Sequence, residues 1–508
     1  MEVGLIWLVS GLLTPSLEKL LRPTPRLTAR PMAAWSLHVG LWTLLYAVLL
    51  LLTQRALFAA AAGLVIQLSV VLVSNAKYKA LQEPFLFSDF GLFSQALRHP
   101  RLYLPFMGLR SGVIVAVAIL LALYVAVILE TPLTTSVGWA QLVAIVALGL
   151  ILAALLVGLG TRLCPKPSLL PERDLNDFGL AASLWLYWRH ESREALADTP
   201  ISRLPSSVSL PGGGQLSDIV VVQSESFFDA RRLWPDIRPE LLSEFDSTAG
   251  AAILHGRLNV PAWGANTMRT EFAFLTGIAP DDLGIHRFNP YRRFARRPLP
   301  SIVSLLKNLG YRTVCIHPHP MSFFSRDKVY PLLGFDEFID LAHFEHAETC
   351  GPYICDAAVT EMVQRILATS SGPLFVFAIT MENHGPLHLE KASPEDERRL
   401  FRTPPPATFS DLSVYLRHLS NADRMLADVT ELLDERVRPA LLCWFGDHVP
   451  SMPEVYAHTG YDDESTDYLI WETGQPARGK RRDLSVEQLP AVLLGIAGLH
   501  QLSQPADS

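Results

Sequence analysis

DIVVVQSESF, residues 218–227, is a β-branched run that stops abruptly in Gln, Ser and Glu. A short apolar run without alternation reads as a strand buried on both faces, the kind found in parallel sheets. Further runs of this type follow at Arg312–His317 (RTVCIH), Leu374–Thr380 (LFVFAIT), Ala440–Phe445 (ALLCWF) and Asp467–Trp471 (DYLIW). Helical patterns lie between them over Leu299–Leu309, Asp356–Ala368 and Asp411–Leu433. Strands alternating with helices predict an α/β domain, a mostly parallel sheet covered by helices on both faces. Ligands of such sheets gather beyond the carboxyl ends of the strands.

Toward the N-terminus the composition changes. Residues 200–215, with PSSVSLPGGG, read as a linker, and Asp177–Glu191 carries Trp185, Tyr187 and Trp188 beside Arg189, the pattern of an interfacial helix. Four segments upstream are apolar enough for membrane helices: Leu41–Thr53 with its flank from Trp35, Ala56–Ser74, Ser111–Leu129 and Val137–Gly160. Val3–Thr14 is a fifth, short span or an interfacial helix. The predicted organisation is a transmembrane domain of four to five helices (1–160), an interfacial helix and linker (161–216), a catalytic domain (217–500) and a tail (501–508). Residues 1–166 carry twelve Lys/Arg against five Asp/Glu, so the remaining chain holds the whole of the net −7 and more. With 49% hydrophobic and 18% charged residues, the 508-residue chain is neither disordered nor collagen-like. Its five cysteines make no CxxC; Cys350 and Cys355 are either a closed pair or two free thiols.

Chemistry-bearing residues cluster at the predicted strand ends. The first strand runs into Glu225, and the fourth into Gly446-Asp447-His448. Two carboxylates and an imidazole at one sheet edge suit Mn²⁺ or Zn²⁺, with Mg²⁺ less favoured by the histidine. Thr267, in WGANTMRTEF (263–272), falls where a helix through Thr276 begins. Its hydroxyl is either a plain N-cap or a nucleophile set at the positive end of that helix.

QSESF, GANTMRTEF, HPHPMSFFSRDKVYPLLGFDEF, MENHGP and FGDH, in this order after the apolar segments, resemble the lipoteichoic acid synthase and phosphoglycerol transferase family of the alkaline phosphatase and sulfatase superfamily. The resemblance implies a metal of the Mn²⁺ type on Glu225, Thr267, Asp447 and His448, with Thr267 as catalytic nucleophile. It places His317, Arg326 and His384 at the phosphate and glycerol, and Phe324 beside the substrate where many relatives have Trp. Arg326 suits bidentate phosphate binding. Met268-Arg269 follows the nucleophile where small or acidic residues are common, which makes the acceptor side more electropositive. The activity implied is transfer of glycerol phosphate from phosphatidylglycerol to a glycan or glycerol phosphate acceptor, with no nucleic acid partner. A phosphoethanolamine transferase or a hydrolase of the same superfamily is the alternative. No Cys/Ser-x-Pro-x-Arg surrounds Thr267, which argues against sulfate-ester hydrolysis. A silent scaffolding protein on the same fold is the rival outside enzymes. The family acts on the outer face of the cytoplasmic membrane, a periplasmic or extracellular site, whereas the Lys/Arg count over residues 19–30 and 77–101 favours the cytoplasm.

Overall fold

The computed structural model describes residues 2–92, 109–124, 128, 130–193, 201–210, 214–294, 298–475 and 479–501. The chain divides into two compact units, Met1–Ala197 and Asp198–Ser508.

The first unit is helical: α1 Glu2–Glu18, α2 Met32–Thr53, α3 Ala56–Leu81, α4 Leu109–Tyr124, α5 Gly138–Leu163, α6 Pro171–Phe178 and α7 Leu180–Arg193. Three of these, α2, α3 and α5, are long and apolar enough to cross a membrane. Their 22 to 26 residues span about 33–39 Å, against the ~30 Å of hydrocarbon. Four to five such spans were expected, and the described residues give three. The segment Ser111–Leu129 extends beyond α4 into positions outside the described residues. Helix α1 has 17 residues with Pro15 inside, so it falls short of that length. Its Trp7 indole N–H donates to Thr43 on α2, fixing it beside a longer neighbour.

Hydrogen bonds define the two ends of this unit. At one, Leu57 and Phe58 N–H donate to Glu130, and Leu133 N–H donates to Gln54 O. At the other, Asn75 bonds Leu20 and Arg22, Arg26 N–H donates to Asn176, and Tyr78 donates to Glu172. The second end therefore gathers the 19–30 loop, the exit of α3, and helices α6 and α7, from which the chain continues into the second unit. Gly179 separates α6 from α7 with φ +78°, and the helix expected over Asp177–Glu191 is α7, begun at Leu180 and preceded by the separate short helix α6.

The second unit is built on a nine-stranded sheet: β1 Asp218–Ser224, β2 Leu254–Asn259, β3 Arg312–Ile316, β4 Glu337–Ile339, β5 Leu374–Ile379, β6 Ala440–Gly446, β7 Thr466–Glu472, β8 Lys480–Arg481 and β9 Leu484–Ser485. The order is β8-β2-β7-β6-β1-β5-β3-β4, with β9 also on β2. The run β6-β1-β5-β3-β4 is parallel throughout, while β7 lies antiparallel to β6 and β2. All five expected strands are present, and the last of them is the antiparallel one. Val220 and Val222 pack into one core, Ile219 and Val221 into the other, which is why the run carries no polar alternation. Helices α8 Ser243–Ala251, α11 Asp356–Thr369 and α12 Ser410–Asp434 contribute to the first core. Helix α9 Thr267–Thr276 and α10 Arg326–Leu333 contribute to the second.

Candidate active site

Strands β1 and β6 are parallel neighbours in the register Ser224↔Gly446, so the residues that follow each emerge side by side. Gly446 makes the next turn possible. A Cβ there would lie 1.8 Å from the Phe227 carbonyl oxygen, so no larger residue allows the 225–227 segment to fold over the end of β6. Ser226, at φ +55°, turns the chain and donates its N–H to Asp447 Oδ1 at 2.8 Å and its hydroxyl to Glu225 Oε1 at 2.8 Å.

This geometry brings Glu225, Asp447 and His448 together, all buried, with one donor atom of each within 4.8 Å of the others. His448 Nε2 is 3.4 Å from both Glu225 Oε1 and Asp447 Oδ2. Its Nδ1 lies 3.0 Å from the Val449 carbonyl, which can only accept, so the proton sits on Nδ1 and the Nε2 lone pair faces the carboxylates. Asp447 Oδ2 and His448 Nε2 have no hydrogen-bond partner. Burial, and then the charge of Asp447, push the Glu225 carboxyl up to about 8. Two carboxylates and an imidazole lone pair converging in a dry site, where the raised Glu225 pKa reflects the cost of holding that negative charge without a counter-ion, fit a divalent cation.

Thr267 is carried to the same edge by its helix. Gly264, at φ +68°, donates its N–H to Val449 O at 2.9 Å and bridges Pro450. Thr270 donates its hydroxyl to Asp447 O at 2.7 Å. The first turn of α9 is thus strapped to the segment that presents Asp447 and His448. The helix is entered through Asn266, at φ +69° and without a side-chain capping bond, so Thr267 is the first helical residue and not the cap. The ordinary explanation for a threonine at a helix start therefore falls away.

His317, Arg326 and Phe324, expected at the phosphate and glycerol, lie together around Glu271. The Arg326 guanidinium is buried and commits its Nε–Nη2 edge to Glu271, with Nη2 at 2.7 Å and Nε at 3.1 and 3.2 Å. Its Nη1 faces His317 Nε2 at 3.2 Å, and His317 Nδ1 lies 3.1 Å from the Ile379 carbonyl. Both ring nitrogens of His317 are thus engaged, and burial followed by the Arg326 charge holds it well below the usual imidazole range. The phosphate fork expected of Arg326 is directed at a carboxylate of its own chain, which a buried guanidinium requires. Phe324 packs with its ring tilted against Phe323, and the Arg326 guanidinium lies over it at 5.3 Å, in a left-handed turn shared with Ser325.

His384 is held through Nδ1, 2.7 Å from Gly385 O, which leaves Nε2 as its accepting atom. Burial lowers its pKa, opposed by the Gly385 bond and by the charge of Asp447. Tyr353 donates to Gly385 O at 2.9 Å and lies 3.3 Å from His384 Nδ1. Tyr353 sits on a two-stranded hairpin, Thr349–Cys350 with Tyr353–Ile354, and Cys350 and Cys355 are bonded across it. Of the two states open for these thiols, the structure has the closed pair.

A sulfatase family profile matches residues 217–499, more than half of the chain. The chain belongs to the sulfatase family. Among curated relatives of this sulfatase-family chain is the capsular polysaccharide biosynthesis protein RkpI of Rhizobium meliloti, 29% identical over 450 residues, covering 84% of this chain and 79% of the relative. Among solved structures, the lipooligosaccharide phosphoethanolamine transferase A of Neisseria meningitidis shares the fold over 91% of this chain and 88% of its own, with a TM-score of 0.58 at 13% identity. The phosphoglycerol transferase GacH of Streptococcus pyogenes, in complex with sn-glycerol-1-phosphate, covers 55% of this chain and 74% of its own at 22% identity and a TM-score of 0.45.

Sequence reasoning missed Ser226, Glu271 and Tyr353. Glu271 carried a readable signal: the lone acid of its helix, followed directly by the apolar run FAFL, must be paired if it is buried. Tyr353 had none, because its role depends on a tertiary contact.

Proposed function

We propose that this sulfatase-family protein is a membrane-anchored, metal-dependent phosphoglycerol transferase that moves glycerol phosphate from phosphatidylglycerol to a glycan or polyglycerol phosphate acceptor. The observation that carries it is the unsatisfied Glu225–Asp447–His448 ligand set with the start of α9 strapped beside it. Glu225, Asp447, His448 and the Thr267 oxygen would hold Mn²⁺, with Zn²⁺ or Mg²⁺ as alternatives. Such an ion lowers the pKa of the hydroxyl and neutralises charge on a phosphodiester. Thr267 Oγ forms a bond to phosphorus, the bond from phosphorus to the diacylglycerol oxygen breaks, and diacylglycerol departs after taking up a proton. His384, with Nδ1 committed to Gly385, offers Nε2 to carry that proton. An acceptor hydroxyl then displaces Thr267, and two in-line displacements retain configuration at phosphorus.

A glycan acceptor is supported by the relative named for capsular polysaccharide biosynthesis. Placement of the catalytic unit outside the cytoplasm is supported by the Cys350–Cys355 disulfide, since such bonds persist in oxidising compartments. A second reading, phosphoethanolamine transfer, is favoured by the fold shared along nearly the whole chain with a phosphoethanolamine transferase. The deciding experiment incubates the full-length protein with vesicles of phosphatidylglycerol or of phosphatidylethanolamine and measures diacylglycerol. Release from phosphatidylglycerol alone is expected; release from phosphatidylethanolamine alone replaces this reading with the second.

A further inference from the structure

Helix α5 ends its long apolar course in Thr161, Arg162 and Leu163. The Trp185 indole N–H of α7 donates to the Thr161 hydroxyl at 2.9 Å, which fixes α7 across the end of α5. Ala182 and Leu186 of α7 pack with Ala34, Leu37 and Val157 of the bundle, so this face is inward. Trp185 and Trp188 lie 4.6 Å apart, and Trp188 is exposed. Paired indoles at the end of an apolar helix are characteristic of the membrane–water boundary.

Arg189 and Arg193 follow Trp185 by one and two helical turns, so they continue the face that Trp185 starts. The Trp185–Thr161 bond sets Arg162, the neighbour of Thr161, at the end of α5 crossed by the helix that carries Arg189 and Arg193; burial, then the charges of Arg193 and Arg162, lower the pKa of Arg189 in keeping with that placement. None of the three forms an ion pair among the described residues. Of the other cations at this end of the unit, Arg30 pairs with Glu18, Lys77 with Glu83 and Asp89, and Arg173 with Asp177. Among the described residues the three arginines are therefore a concentration of like charge without a counter-ion.

The missing anion has an apolar body. Leu148, Leu152, Leu155, Leu159 and Leu163 are exposed and recur at three- and four-residue steps along α5, forming a stripe that ends beside Arg162. A free phosphate would make no use of that stripe, whereas an acyl chain would lie along it with its phosphate among the guanidiniums. We propose that Arg162, Arg189 and Arg193 form a binding site for the phosphate of an anionic phospholipid whose acyl chain runs along the leucine stripe of α5. The site also accounts for basic residues on the end from which the chain enters the catalytic unit, where orientation by positive charge alone points to the cytoplasm.

The test uses the full-length protein in neutral detergent and native mass spectrometry with phosphatidylglycerol and phosphatidylcholine of identical acyl chains. Wild type should retain phosphatidylglycerol in preference, and R162Q/R189Q/R193Q should lose at least about tenfold of that preference. R162K/R189K/R193K should keep most of it. If the triple glutamine variant does not fold, R162Q/R193Q, which changes only exposed side chains, reads the same effect. Equal retention of both lipids by wild type, or an unchanged preference in the glutamine variants, overturns the proposal. Displacement of phosphatidylglycerol by an equal concentration of inorganic phosphate overturns the lipid assignment in favour of a free-anion site.

Discussion

Two buried polar clusters of the catalytic unit, each with a glutamate and a histidine but only one with an arginine, have opposite states. Around Arg326, Glu271 and His317 donors and acceptors match, with Tyr291 also donating to Glu271. Around Glu225, Asp447 and His448 acceptors face acceptors, and Asp447 Oδ2 and His448 Nε2 are left without partners. The first cluster is complete within the chain and holds α9 to α10. The second is incomplete, and its missing component must be cationic. A matched network reports on stability and an unmatched one on function.

The largest effect belongs to the open cluster. Thr267→Ala should lower turnover at least about a thousandfold while leaving the fold intact, because its hydroxyl caps nothing. Glu225→Ala and Asp447→Ala should lose comparable activity together with bound metal, measured by elemental analysis. Full metal occupancy in either variant would remove the ligand assignment.

The closed cluster should respond in stability instead. Glu271→Gln or Arg326→Met leaves one buried charge unpaired and should cost about 3–5 kcal/mol in denaturant unfolding. Near-normal stability with a raised KM would return Arg326 to the substrate-binding role its motif implies. Removing the disulfide in Cys350→Ser/Cys355→Ser closes no loop in the unfolded chain and should cost about 2 kcal/mol. Tyr353→Phe tests the link from that hairpin to His384 more finely: it should shift the pH profile of turnover with little change in stability.

A further effect is on pH dependence without metal. The folded Glu225 carboxyl has its pKa raised to about 8, above its unfolded value, so the native state binds the extra proton. Stability of metal-free protein should then fall as pH rises from about 4.5 toward 8, and Glu225→Gln should flatten that slope. A rising curve over this window would contradict the assigned environment.

The legible parts were those set by local pattern. β1 and β6 were readable because they are buried on both faces and end in polar residues, and α9 because Gly264 and Asn266 mark its entry. β2 was not, because it lies toward the sheet edge and alternates buried with half-exposed residues around Gly256. The pairing of Arg326 with Glu271 joins positions 55 residues apart, which no spacing rule encodes. In the first unit, apolar composition located the helices but not how many are long enough to cross, since α1 has the composition without the length and the third expected span runs past α4 outside the described residues.

The central claim is covalent transfer through Thr267, and intact-protein mass spectrometry of the metal-loaded, full-length enzyme with phosphatidylglycerol and no acceptor addresses it directly. A glycerol phosphate adduct that maps to Thr267 by peptide fragmentation and is missing from Thr267→Ala is the expected result. Steady diacylglycerol release by the wild type with no adduct trapped, accompanied by near-normal release in a folded Thr267→Ala protein, would contradict it.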